Sequence, residues 1–226
     1  MKTAILVDGG FYRKRAQTVK GRKTPEERAF ELYSYCTRHL NNRYNDEDHY
    51  DELYRIFYYD CSPIDGIIFN PLTKENIDFS LNPIKVWTED FFKELSKKRK
   101  VAMRFGELSK GSVHYNLKPH VTKKILAGRK EIDTISQRDL SLSLQQKGVD
   151  MRIGLDIASL AFKKQVDRIV LIAGDSDFVP AAKLARREGI DFILDSLGKD
   201  IKDSLSLHID GRRTCDREYY PAKKED

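Results

Sequence analysis

The sequence predicts an α/β protein built on a parallel sheet with helices on both faces, and three observations lead there. Short apolar runs at residues 3–7, 55–59, 168–173 and 190–194 each end in a polar turn and read as strands buried on both faces. Helical patterns at 26–40, 149–164 and 178–188 lie between them, so strand alternates with helix as in a βαβ sheet. The chain has 226 residues, enough for one such three-layer domain and short of the length at which two full domains become the default.

The first run, Thr3-Ala-Ile-Leu-Val7, stops at Asp8 and two glycines. A helix is expected at 26–40, and the next strand, Arg55-Ile-Phe-Tyr-Tyr59, stops at Asp60. Residues 62–120 break the rhythm, because Pro63, Pro71, Pro83 and Pro119 interrupt any regular period. A helix at 88–98 and a strand at 101–108 still fit inside that stretch, so part of it belongs to the sheet and the rest is an insertion. A helix at 149–164 leads to the strand at 168–173. The helix at 178–188 follows, closed by Gly189 as its C-cap, and the strand at 190–194 ends at Asp195. The expected organisation is a single domain over 1–215, an insertion around 62–120, and a C-terminal tail at 216–226.

Composition excludes several classes. No apolar run approaches the roughly 18 residues that span a bilayer, and the stretch from Ala4 to Val7 is too short for a signal-peptide core. A cytoplasmic protein with no membrane partner is the expectation. Cys36, Cys61 and Cys215 are far apart and odd in number, so neither a disulfide framework nor a zinc site is suggested. The formal charge of +6 is consistent with a partner that carries phosphates, without requiring one. Basic groups at 93–104 and 118–129 read either as solvated helix faces or as a nucleic-acid surface.

In open α/β sheets the ligand site lies beyond the carboxyl ends of the strands. Here those ends are acidic: Asp8, Asp60, Asp175 and Asp195. A lone aspartate at such a place is an ordinary helix cap or turn former. Several together repel one another, and a cation that takes oxygen ligands removes that cost, so Mg²⁺ or Mn²⁺ suits the set. In Ile172-Ala-Gly-Asp-Ser-Asp-Phe-Val179, Asp175 and Asp177 flank Ser176 between a strand and a helix. In Lys147-Gly-Val-Asp150-Met-Arg-Ile-Gly-Leu-Asp156, two aspartates open a helix. Six residues turn about 600°, which leaves their side chains roughly 120° apart. Asp150, at the helix mouth, is the expected ligand, with Asp156 acting through water or as a support.

Three stretches, VDGGFY at 7–12, KGVDMRIGLDIASLA at 147–161 and IAGDSDFVPAAKLARREG at 172–189, resemble the NYN domain family. These are PIN-like nucleases that include the LabA-type bacterial proteins. The resemblance covers the beginning and the last third of the chain; the region from about 62 to 120 has no counterpart in it. It implies a PIN-like, Rossmannoid fold in which Asp8, Asp150, Asp175 and Asp177 bind divalent metal for phosphodiester cleavage, usually of RNA. The family commonly has Asn three residues after the first aspartate, where this chain has Phe11. A polar contact to substrate or attacking water is then missing, which bears on rate rather than on fold.

Nearby cations, Arg13, Lys14, Arg15, Lys147, Arg152, Lys199 and Lys202, are candidates for phosphate contact, with plain surface positions as the alternative for each. Arg13, Lys147, Arg152 and Ser176 are the expected substrate-binding set. Tyr12, Tyr58 and Tyr59 read as base-stacking rings or, more simply, as core packing. A phosphatase of the haloacid dehalogenase type would need an aspartate at position 10, which is glycine. Ser176 has no histidine near it in sequence, and His39, His49, His114, His120 and His208 form no triad pattern. The stronger alternative to an enzyme is a non-catalytic nucleic-acid-binding or regulatory module on the same fold. A homodimer is compatible with such a fold.

Overall fold

The structure, a computed structural model, describes residues 1–44, 47–108, 113–144 and 146–220; the side chains of 42–44, 47, 48, 146 and 176 also lie outside that description. In chain order the elements are β1 (Lys2–Asp8), α1 (Gly9–Lys20), α2 (Pro25–Arg38), β2 (Asn41–Tyr44), β3 (Glu47–Tyr50) and β4 (Glu52–Cys61). There follow β5 (Ile67–Asn70), β6 (Glu75–Asp78), α3 (Pro83–Ser96), β7 (Val101–Leu108), β8 (His114–Leu117), α4 (Pro119–Leu126), β9 (Leu140–Ser143) and β10 (Gln146–Lys147). The last are α5 (Val149–Phe162), β11 (Arg168–Ile172), α6 (Val179–Arg187), β12 (Asp191–Asp195), α7 (Asp203–Ser206) and β13 (Gly211–Arg212).

The central sheet runs β10-β7-β4-β1-β11-β12-β13. Every pairing in it is parallel except the short antiparallel join of β10 to β7. Strands alternate their side chains between faces, and both faces are dry: Ala4 and Leu6 pack beneath α5 and α6, while Ile5 and Val7 pack beneath α1, α2 and α3. Winding proceeds from β1 outward to β4 and β7, then returns through α5 to β11 on the other side of β1. The order therefore reverses between β1 and β11, and ligands of such sheets bind beyond the strand ends at that point.

Local chemistry explains the helix ends. Thr24 and Glu27 form a reciprocal capping box with Pro25 at the first position of α2. Asn82 accepts from the Ile84 N–H and precedes Pro83, so α3 begins five residues earlier than the pattern from 88 suggests. Gly189 has φ of 81° just after α6, the role expected of it. Helix α1 escapes the sequence pattern because it opens on two glycines, poor helix formers that hide the period.

Within the stretch expected as an insertion, α3 and β7 belong to the regular winding: β7 pairs with β4, and α3 packs on α2. What stands outside the winding is the β5–β6 hairpin after β4, and the β8, α4 and β9 segment after β7. Asn70 Nδ2 donates to Gln137 Oε1 at 3.0 Å, tying the two excursions together. Among the described residues no helix is long and apolar enough to cross a membrane.

Candidate metal centre at the sheet's switch point

Asp8 ends β1 and caps α1, its Oδ1 accepting the Phe11 N–H at 3.0 Å. Burial, opposed by that N–H and reinforced by the charges of Asp150 and Asp60, pushes its carboxyl up to about 6. Asp150 lies in the first turn of α5, behind Gly148, whose φ of 82° admits glycine readily. Partial loss of hydration and then the charges of Asp175 and Asp177 raise its carboxyl too. Asp175 and Asp177 stand exposed in the turn after β11, with the Asp177 N–H donating to Asp175 Oδ1 at 3.1 Å. The four carboxylates are thus within electrostatic reach in a chain, Asp8 to Asp150 to Asp175 and Asp177. Among the described residues none of them has an ion-pair partner.

As placed, no three His, Cys, Asp or Glu side chains among the described residues converge closely enough to hold a metal ion. The chemistry of the donor set nonetheless fits one. It is all carboxylate, as a hard divalent cation requires, and at Asp8 and Asp150, where burial first and neighbouring carboxylates second disfavour the charged form, such a cation would offset both costs.

Other expected site residues are spent elsewhere. Asp156 is not brought to this cluster: its Oδ2 accepts from the Tyr59 hydroxyl at 2.8 Å and from Arg104 Nε at 3.2 Å. Arg13 is held by Asp60 through two bonds of 2.9 Å, and Asp60 also accepts from the Tyr58 hydroxyl and the Cys61 N–H. Arg15 donates to the carbonyls of Leu197 and Tyr219. Asp195, fully buried, accepts from Tyr35, Thr214 and the Leu197 N–H and pairs with His39 Nε2. Tyr12, Tyr58 and Tyr59 have no exposed surface, so they are core residues and cannot stack on bases. Lys147 and Arg152 remain exposed beside Asp150, and Lys14 and Lys199 are exposed as well. The Ser176 side chain lies outside the described ones.

Two glycines have steric causes. A Cβ on Gly9 would come within 2.4 Å of the Tyr58 ring and hydroxyl and 2.6 Å of Asp60 Oδ2. One on Gly174 would come within 2.5 Å of Phe11, so the ring at position 11 lies on the backbone that leads to Asp175. Sequence reasoning missed the Asp195–His39–Tyr35 network, because its members are about 160 positions apart in the chain and nothing in their local pattern links them.

Comparison with known proteins bears on this site. The NYN domain family matches residues 76–209, more than half of the chain. That span holds Asp150, Asp175 and Asp177 and reaches into the stretch for which the motifs gave no counterpart; Asp8 lies outside it. An uncharacterised protein of Methanocaldococcus jannaschii is 27% identical over 101 residues, covering 45% of this chain and 39% of that protein's length. A crystal structure of a Vibrio parahaemolyticus protein of unknown function covers 96% of this chain and 94% of its own, with 14% identity and a TM-score of 0.47.

Proposed function

The chain belongs to the NYN domain family and has its PIN-like, nuclease-type fold, and from that premise we propose that it is a divalent-metal-dependent nuclease that hydrolyses phosphodiester bonds in RNA. What supports the reading is that Asp8, Asp150, Asp175 and Asp177 lie within electrostatic reach of one another near the switch point and make no ion pair among the described residues. A Mg²⁺ or Mn²⁺ ion there would acidify an attacking water and offset charge on the phosphoryl oxygens. The four aspartates bind and orient, and none of them is a nucleophile. Exposed Lys147 and Arg152 supply charge-assisted contacts to the flanking phosphates. Arg13 acts indirectly, by holding Asp60 beneath the site.

A second reading, a nucleic-acid-binding module without turnover, draws on one observation: the apolar Phe11 ring covers Gly174, where the family resemblance calls for a polar Asn. Labelled single-stranded and structured RNA, and DNA, incubated with EDTA, Mg²⁺ or Mn²⁺, separate the two. The nuclease reading expects cleavage that needs metal and falls by about a hundredfold or more in Asp175→Asn, on the scale of losing one transition-state contact. Binding without cleavage under every metal would establish the module instead.

A further inference from the structure

A chamber of about 280 Å³ opens between the end of β4 and the two excursions from the sheet, walled by Cys61, Ile64, Phe79, Leu108, Leu142 and Leu144. Its position is informative. Cys61 follows Asp60, and a Cβ on Gly106 would stand 3.0 Å from Cys61 Sγ, 2.8 Å from Val149 Cγ2 and 2.7 Å from the Lys147 carbonyl. The wall of the chamber therefore abuts the two residues that lead into Asp150. On its other side it shares Arg13, Ile84 and Thr88 with a cleft of about 360 Å³ that adds Arg22, Lys23 and Trp87. A cation-bearing cleft thus continues into an apolar chamber beside the carboxylates.

Its walls also leave apolar surface uncovered. Ile84 is 73% exposed and Leu144 43%, and an apolar hollow with a few polar groups beside a charged site is the form of a small-ligand pocket. Of the polar groups in its lining, Arg13 is held by Asp60, Lys85 is paired with Glu89 and the Thr88 hydroxyl donates to the Ile84 carbonyl, which leaves Ser62 and the Asn82 amide, whose Oδ1 is taken by the Ile84 N–H while its two N–H donors have no partner among the described residues. Apolar walls with one or two donors at the edge suit a heterocyclic ring, and the neighbouring exposed Arg22 suits a phosphate attached to it, whereas Lys23 is already paired with Glu31.

We propose that the chamber takes one unstacked nucleobase of the bound strand, next to the phosphate held at the carboxylates. The inference rests on the nucleic-acid reading of that site. It makes the excursions after β4 and β7, which the rest of the sheet does not need, the part of the chain that selects the base.

The test is fluorescence of 2-aminopurine placed at each position in turn of a short single-stranded RNA, bound to the full chain in EDTA and in Ca²⁺. Bis(p-nitrophenyl) phosphate turnover in Mn²⁺ is followed in parallel. One position should brighten as the base leaves its stack. Ser62→Trp, on an exposed loop, and Leu142→Trp should each abolish that signal and weaken binding about tenfold, while turnover of the base-free ester stays within about twofold. No brightening at any position, no RNA binding, or variants that respond like the parent would overturn the chamber's role. Brightening in a protein that hydrolyses neither RNA nor the ester would overturn the nuclease reading and leave the base site standing.

Discussion

Asp60 and Asp195 end strands at the same edge of the same sheet as Asp8 and Asp175, yet the two pairs have opposite surroundings. Asp60 is 2% exposed and Asp195 fully buried, and each spends both oxygens on fixed donors: Arg13, Tyr58 and the Cys61 N–H for one, Tyr35, His39, Thr214 and the Leu197 N–H for the other. Asp8 keeps only backbone caps, and Asp150, Asp175 and Asp177 face water and one another. A satisfied buried carboxylate holds elements together. A cluster of unsatisfied ones stores repulsion that a bound cation can remove. The same residue type at the same kind of position is thus scaffold in one case and candidate ligand in the other, and the difference lies in donors brought from distant elements.

The largest effect should come from the scaffold side. Asp60→Ala leaves the Arg13 guanidinium without its partner and should lower unfolding free energy by about 3–5 kcal/mol in denaturant titrations, whereas Asp175→Ala should change it by no more than about 0.5 kcal/mol. Equal costs for the two would erase the distinction.

Next is the sign of the response at Asp8. A folded-state pKa of about 6 against the ordinary 3.8 means that the folded protein holds this proton more tightly. Stability without metal is therefore favoured below 3.8, declines as pH rises through the interval to about 6, and stays reduced above it. Asp8→Asn keeps a capping side chain and removes the charge, so in EDTA at neutral pH it should stabilise by up to about 3 kcal/mol and flatten the slope between those limits. A variant less stable than the parent at neutral pH would contradict the cost assigned to the buried Asp8 charge, which burial sets first and the carboxylates of Asp150 and Asp60 increase.

Smaller again is the steric prediction. Gly9→Ala should cost about 1–3 kcal/mol, because the methyl meets the Tyr58–Asp60 pair rather than open space. Thermal unfolding checks it, and a neutral result would mean that this pair can yield. The smallest change belongs to Lys147→Ala and Arg152→Ala, each of which should reduce the salt slope of RNA binding by about one, with no loss of stability. An unchanged slope would remove both from the phosphate path.

Much of this was legible in the sequence. Apolar runs buried on both faces announced the parallel sheet, because that inference depends on local pattern alone; strand ends by themselves pointed equally to Asp8, Asp60, Asp175 and Asp195, and the set Asp8, Asp150, Asp175 and Asp177 came from the resemblance to the NYN family. What the sequence hid depends on long-range contacts. Asp60 reads like Asp8 until Arg13 arrives from α1, 47 positions away. Asp156 reads as a support for Asp150 until the turn of α5 delivers it to Tyr59 and Arg104. Tyr12, Tyr58 and Tyr59 read as stacking rings or, more simply, as core, and their complete burial settles it for the core. Prolines in 62–120 hid the start of α3, which the pattern put at 88, although Pro83 is a helix-start signal rather than a break.

Mn²⁺ binding followed by electron paramagnetic resonance, on the parent chain and on Asp8→Asn, Asp150→Asn and Asp156→Asn, tests the division of the aspartates most directly. The parent should bind Mn²⁺, and Asp8→Asn and Asp150→Asn should each weaken binding by at least the roughly tenfold that even loss of an outer contact costs, while Asp156→Asn binds like the parent. A parent chain that binds no Mn²⁺, or one whose binding survives at Asp8 and Asp150 but fails at Asp156, would contradict the account.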